Sequence, residues 1–216
     1  MNVSCRAPRS AYPRIGRKRF IDKLKPLLCP RDLNHVIAAY MFAKYAHRNQ
    51  FRDGGTVRYF EHAKAVALIL IDELHITDWH AVVLGLMHDV PEDSFLLTWE
   101  RIELNFGKTI THELKLLTKQ PKRGYIKRLR MHGSTRALTT KCCDRVHNLR
   151  TLSSCKTQKQ HEQIAETRRV HIPLAELLIS KLPKRERWRG EYLKNEMIRL
   201  CAEHEHALAS KAEPRT

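Results

Sequence analysis

The chain has 216 residues, 42% of them apolar, with only 8 Gly and 9 Pro, which fits one globular, helical domain and excludes a disordered chain. No apolar run approaches the roughly 18–20 residues of a membrane span; the longest is Ala65 to Ile71, so no membrane partner is expected. Lys and Arg number 40 against 23 Asp and Glu, a formal charge of +17 that attracts polyanions, whether nucleic acid or a highly phosphorylated nucleotide.

Taken in order, residues 1–28 read as a basic, irregular N-terminal arm without clear periodicity. Pro30 sits where a first helical turn would begin, and Asp32 to His47 carries Leu33, Val36, Ile37, Tyr40, Met41 and Tyr45 at helical spacing. Asp53-Gly54-Gly55 makes a loop, and Tyr59 to Leu74 is the next helix. Thr77 is placed to cap a helix that runs through the apolar stretch Ala81 to Met87 and ends at His88-Asp89. Pro91 lacks a backbone donor, so the helix should end or kink beside it. Thr98 caps a short helix that Gly107 ends; Thr109 to Thr118 forms another, and Lys119 to Gly124 is a polar loop. Thr135 to Leu152, Gln158 to Leu182 and Arg185 to Ala209 are three further helices. With no alternating strand pattern and no repeat, the expected fold is all-α.

The chemistry concentrates in His88-Asp89-Val90-Pro91-Glu92-Asp93. Imidazole and carboxylate together suit a borderline-hard divalent ion such as Mn²⁺, Fe²⁺ or Zn²⁺. A His-Asp pair alone recurs by chance, but His62 lies upstream and Asp144 downstream, giving the order His…His-Asp…Asp. The six cysteines show no C-x-x-C spacing, which points to reduced thiols and a cytoplasmic protein.

That order resembles the HD metallophosphohydrolases. Further strings narrow the resemblance: Ala46 to Arg52, Tyr59-x-x-His62, His88-Asp89-x-x-Glu92-Asp93, Phe106-Gly107, Leu117-Thr118-Lys119, Lys141-x-x-Asp144-Arg145-x-His147-Asn148 and Ile164-Ala165-Glu166-Thr167. Together, over about residues 35–180, they look like the hydrolase domain of the RelA/SpoT homologues, which degrade the alarmone (p)ppGpp. The resemblance implies a single HD-domain helical bundle over 29–182, with 183–216 a C-terminal helix and basic tail packed on it. It also implies a free-standing small alarmone hydrolase, because no further domain fits in the residues given.

By that resemblance one Mn²⁺ is held by His62, His88, Asp89 and Asp144, and Glu92 and Asp93 activate or orient the attacking water. Arg52 packs on the nucleobase and Asn148 holds ribose or phosphate, while Lys141 is read either as a phosphate contact or as a solvated or salt-bridged lysine. His47 and His147 fix local packing or orient neighbouring groups. The expected activity is release of pyrophosphate from the 3′ position of (p)ppGpp-like nucleotides. Asp53 is acidic where relatives commonly carry a second base, which leaves guanine and adenine alarmones open, and also NADPH as substrate of a related phosphohydrolase. A nucleic-acid or ribosome-binding protein on the same scaffold is the reading from another class; the charge favours it, but no base-reading motif accompanies it.

Overall fold

The first helix lies where an irregular arm was expected. In the computed structural model, which describes residues 15–52, 55, 57–93 and 97–212 (the side chains of Asp93, Lys211 and Ala212 excepted), α1 spans Arg17–Leu24. Five charged side chains hide its pattern, yet Phe20, Ile21 and Leu24 fall on one face and are buried. The expectation of an arm over 1–28 is therefore corrected for these residues, while 1–14 fall outside the described part. Lys64, itself buried, donates to the Ile15 carbonyl at 2.6 Å and fastens the chain just before α1.

Phe20 packs on Tyr40 of α2 (Pro30–Ala46), ring centroids 5.3 Å apart, and Tyr40 meets Phe60 of α3 (Phe60–Leu68) edge-on at 4.8 Å. Pro30 opens α2, as its position predicts. The expected helix from Tyr59 to Leu74 is realised as α3 followed by a wider π-helical turn, Ile69–Glu73.

Helix α4 (Trp79–Met87) is the hub: Ala81 to Met87 are all buried, which a helix apolar on every face requires. It packs on α2, α3, α6 (Trp99–Leu117) and α8 (Thr135–Arg150). Its N-cap is Asp78, accepting from His80 N, and not Thr77 as expected, because a carboxylate one residue on reaches the orphan amide. His88 and Asp89 form a turn after α4, and Pro91 then lies in the first turn of the four-residue α5 (Val90–Asp93), where its missing donor costs nothing.

Thr98 caps α6 as expected, and Gly107 breaks that helix with φ 80°, a conformation glycine adopts without strain. A helix not anticipated, α7 (Tyr125–His132), fills the stretch before α8. The segment expected as one helix from Gln158 runs as α9 (Thr157–Glu166), a π-helical turn Thr167–His171, and α10 (Ile172–Lys181). Helix α11 (Arg187–Ala212) packs on α8, α9 and α10. Extended pairing among the described residues is one isolated bridge, Phe51 to Arg58, so the fold is all-α.

Candidate metal centre

Three helices bring the centre together. Facing α3 and α4 approach closely because Gly85 has no side chain; a Cβ there would lie 2.9 Å from Leu70 Cδ1 and 3.1 Å from Ala67 Cα. This sets His62 of α3 beside His88 at the end of α4, with their Nε2 atoms 3.3 Å apart. From α8, Asp144 Oδ1 comes to 3.1 Å from His62 Nε2 and 3.7 Å from His88 Nε2. One donor atom each from His62, His88 and Asp144 lies within 4.8 Å of the others. Asp89 Oδ2 joins at 3.0 Å from His88 Nε2 and 3.6 Å from His62 Nε2.

The outer groups fix these donors. His88 Nδ1 donates to the Gly85 carbonyl at 2.9 Å, which turns its Nε2 towards the carboxylates. His62 Nδ1 meets His147 Nδ1 at 2.8 Å, so a proton on the first requires the second to accept. Burial and the charges around it keep His147 neutral, well below its ordinary value. Tyr59 donates its hydroxyl to Asp89 Oδ2 at 2.7 Å, Lys141 its ammonium to Asp144 Oδ2 at 2.8 Å, and Asn148 Nδ2 donates to Asp144 Oδ1 at 2.7 Å.

The electrostatics ask for a cation. Burial works against ionising Asp144, yet the Lys141 ammonium and the hydrogen bonds of His62 and His88 hold its carboxyl well below the usual range. Burial likewise opposes charge on His88, but Asp89 and Asp144 overcome it and raise the imidazole to about 10. His62, which burial dominates, falls to about 4. Two buried carboxylates against one lysine leave a negative charge that a proton on His88 offsets. Two imidazoles with inward Nε2 atoms and two carboxylates fit a divalent ion in that proton's stead.

Of the remaining predicted residues, Asn148 and Lys141 bond to Asp144, and Arg52 bonds to Asn148. Arg52 Nη2 donates to Asn148 Oδ1 at 2.9 Å and to Thr151 Oγ1 at 3.1 Å. Lys141 is buried, its ammonium directed at Asp144 and 5.9 Å from the Tyr125 ring. Glu92 Oε1 accepts from the backbone of Lys119 at 2.6 Å, tying α5 to the loop after α6. The Asp93 side chain and residues 53 and 54 lie outside the described part. His47 packs against Tyr59 with the two rings tilted and their centroids 4.8 Å apart.

Two clefts share Asn148 and Gln163, and Asp144 lines the larger of them. One, about 250 Å³, is lined by Phe51, Arg52, Tyr59 and Lys159; the other, about 410 Å³, by Lys119, Lys122, Tyr125, Lys141, Arg145 and His171. Tyr59 stood in the string Tyr59-x-x-His62 but was given no role of its own, and Tyr125 and His171 carried no signal in the sequence.

Residues 39–178 match the HD-domain family. Among curated relatives, RSH1 of Oryza sativa subsp. japonica, a chloroplastic protein named as a GTP diphosphokinase, is 32% identical over 198 residues, 82% of this chain and 22% of the relative. A protein of Haemophilus influenzae named guanosine-3′,5′-bis(diphosphate) 3′-pyrophosphohydrolase is 36% identical over 150 residues, 64% of this chain and 22% of its own length. The chain thus spans 22% of the length of these relatives. A solved structure, described as a metazoan orthologue of SpoT that hydrolyses ppGpp, superposes with a TM-score of 0.60 at 24% identity, over 76% of this chain and 94% of that one. At that identity the likeness speaks to the all-helical fold.

Proposed function

The chain belongs to the HD-domain family, and on that premise we propose that it hydrolyses the 3′-pyrophosphate of (p)ppGpp-like nucleotides, releasing GDP or GTP, or their adenine counterparts, and pyrophosphate. One observation carries the reading: the donors of His62, His88, Asp89 and Asp144 converge on a buried point that needs a cation. The names of the curated relatives, which include a 3′-pyrophosphohydrolase, support the substrate class.

These four side chains hold the ion, which we take to be Mn²⁺, and when bound it supplies positive charge to phosphate oxygens and makes water more acidic. The chain's own residues do the rest. Asn148 and Lys141 orient Asp144, and Tyr59 orients Asp89, so the donors keep their directions while substrate enters. Arg52 stands in the smaller cleft, where its guanidinium can face a base while Asn148 and Thr151 hold its far edge. Glu92 and Asp93 act on the attacking water, with the Glu92 carboxylate held by the backbone of Lys119. The surplus of Lys and Arg steers a substrate bearing several negative charges. Free Cys142, Cys143 and Cys201, all buried, support a reducing compartment, which we take to be the cytoplasm. No helix among the described residues is long and apolar enough to cross a membrane.

The test is turnover of ppGpp, pppGpp, ppApp and NADPH in parallel by Mn²⁺-loaded protein, with Asp89→Ala as control. Pyrophosphate release that the variant abolishes is the expected result. Phosphate release from NADPH alone would replace this substrate with another, and no turnover by metal-saturated protein would end the proposal.

A further inference from the structure

Five buried side-chain polar atoms among the described residues lack a hydrogen-bond partner, and three of them belong to the wall of one cleft: Tyr125 Oη, Arg145 Nε and His171 Nδ1. Each sits on a different element, in α7, α8 and the π-helical turn before α10, so no local feature of the chain explains the grouping. All three are donors in this setting. Arg145 Nη2 donates to His171 Nε2 at 2.6 Å, which makes Nε2 the acceptor and leaves the proton on Nδ1. Burial, together with Arg145, keeps His171 neutral, and burial keeps the Tyr125 phenol protonated.

Buried donors without acceptors are rare and mark a place where an acceptor arrives. The cleft they border is about 410 Å³, contains Asp144 and Lys141 in the same wall, and sets four cations, Lys119, Lys122, Lys141 and Arg145, against two carboxylates, Asp144 and Glu166. Glu166 is held by Arg145 at 2.6 Å and Asp144 by Lys141 at 2.8 Å, so neither is left to receive the three protons. What fits is a compact group rich in acceptor oxygens and free of donors, one step beyond the metal centre: a phosphate.

We propose that Tyr125, Arg145 and His171 receive the outer phosphate of the scissile 3′-diphosphate, and so separate nucleotides with a pyrophosphate at that position from those with a single phosphate. This deepens the function proposed above and rests on it for the nucleotide. The nucleoside then occupies the smaller cleft at Arg52, the inner phosphate lies at the metal centre, and the outer phosphate enters the larger cleft. Water's oxygen joins the inner phosphorus as its bond to the ribose 3′ oxygen breaks, the electron pair leaves with that oxygen, which takes up a proton, and the three donors hold the outer phosphate of the pyrophosphate so released.

Tyr125→Phe tests this with little perturbation, since the hydroxyl it removes has no partner. A purely structural hydroxyl without a partner is dispensable, so the variant keeps or gains thermal stability. Calorimetric titration of the Mn²⁺-loaded protein with pyrophosphate should show affinity lower by roughly 10-fold or more, the effect of one hydrogen bond to a charged group, while orthophosphate affinity changes little. His171→Leu should behave alike, and His171→Gln, which retains a donor, should recover most of the loss. With nucleotides, kcat/KM falls for a 3′-diphosphate and holds for a 3′-monophosphate. Unchanged pyrophosphate affinity in Tyr125→Phe and His171→Leu overturns the assignment, as does an equal loss for orthophosphate or a loss of stability in Tyr125→Phe with affinity intact, the signature of a water-filled wall. If pyrophosphate binding responds as stated but no nucleotide is hydrolysed, this site stands and the proposed reaction fails.

Discussion

Asn148 donates from Nδ2 to Asp144 Oδ1 at 2.7 Å while its own Oδ1 accepts from Arg52 at 2.9 Å, so one carboxamide links a candidate metal ligand to a candidate base contact. The two residues lie one helical turn apart on α8, the spacing at which side chains meet. Asn148→Ala releases both partners. Groups that orient a ligand typically contribute 10- to 100-fold to metal affinity, so a loss on the order of 10-fold or more is expected in a metal titration, with a raised KM because Arg52 loses its anchor. Asn148→Asp should be worse than Ala, since it opposes Asp144 with like charge. Metal affinity and KM both unchanged in Asn148→Ala would show the link to be idle.

His88 gives the centre a pH signature. Its imidazole is raised from 6.5 to about 10 when Asp89 and Asp144 face it without a metal. A raised value means that the stabilisation is complete below the unfolded value near 6.5 and is lost as pH climbs through about 10. The metal-free protein should therefore show a falling Tm from pH 7 towards pH 10, and the metal-loaded protein should lack this component. Loading at pH 7–8 should release about one proton per ion, because the ligand must be neutral. Calorimetry in buffers of different ionisation enthalpy reads that number directly; no proton released would mean that His88 is neutral before binding.

Gly85 sets the separation of α3 and α4, and with it the gap between His62 and His88. In Gly85→Ala the new methyl meets Leu70 Cδ1 at 2.9 Å, which a side chain can yield, and Ala67 Cα at 3.1 Å, which is backbone. Overpacking of this kind costs about 1–3 kcal/mol. Denaturant titration should show that loss, together with weakened metal binding, since moving α3 carries His62 with it. A stable variant with full metal affinity would mean that the helix pair adjusts without disturbing the centre.

The side chains that meet at the candidate centre could be picked out together by their order along the chain: His62, then His88-Asp89 after an apolar run, then Asp144. Helix α1 was not legible, because Arg17, Lys18, Arg19, Asp22 and Lys23 outnumber the three apolar residues that dock it. Helix α7 was missed because only Tyr125 and Leu129, four apart, are buried in its eight residues, too short a pattern to read as a helical face. The donors of the larger cleft come from positions 125, 145 and 171, and nothing in a one-dimensional pattern places a phenol, a guanidinium and an imidazole on one wall. Their grouping is a product of how α7, α8 and the turn before α10 pack.

Arg150 is the pin that joins α11 to this arrangement. It donates to both oxygens of Glu73 at 2.7 and 3.0 Å and to Glu196 of α11 at 2.7 Å, with its side chain 2% exposed and that of Glu73 3% exposed. Tyr192 of α11 also donates to Glu73. Removing one member of a buried pair strands the other, at about 3–5 kcal/mol. Glu73→Ala should lose an amount towards the lower end of that range, because Glu196 still faces the guanidinium. Replacing both, Glu73→Leu with Arg150→Leu, should recover much of the loss, since apolar side chains of similar reach fill the space without a stranded charge. The double variant should still weaken substrate binding, because Arg150 precedes Thr151, which accepts from Arg52. Denaturation curves and KM values from the two variants separate these effects: equal stability losses in single and double variants would mean that the packing of α11, and not the charge, determines the stability of this region.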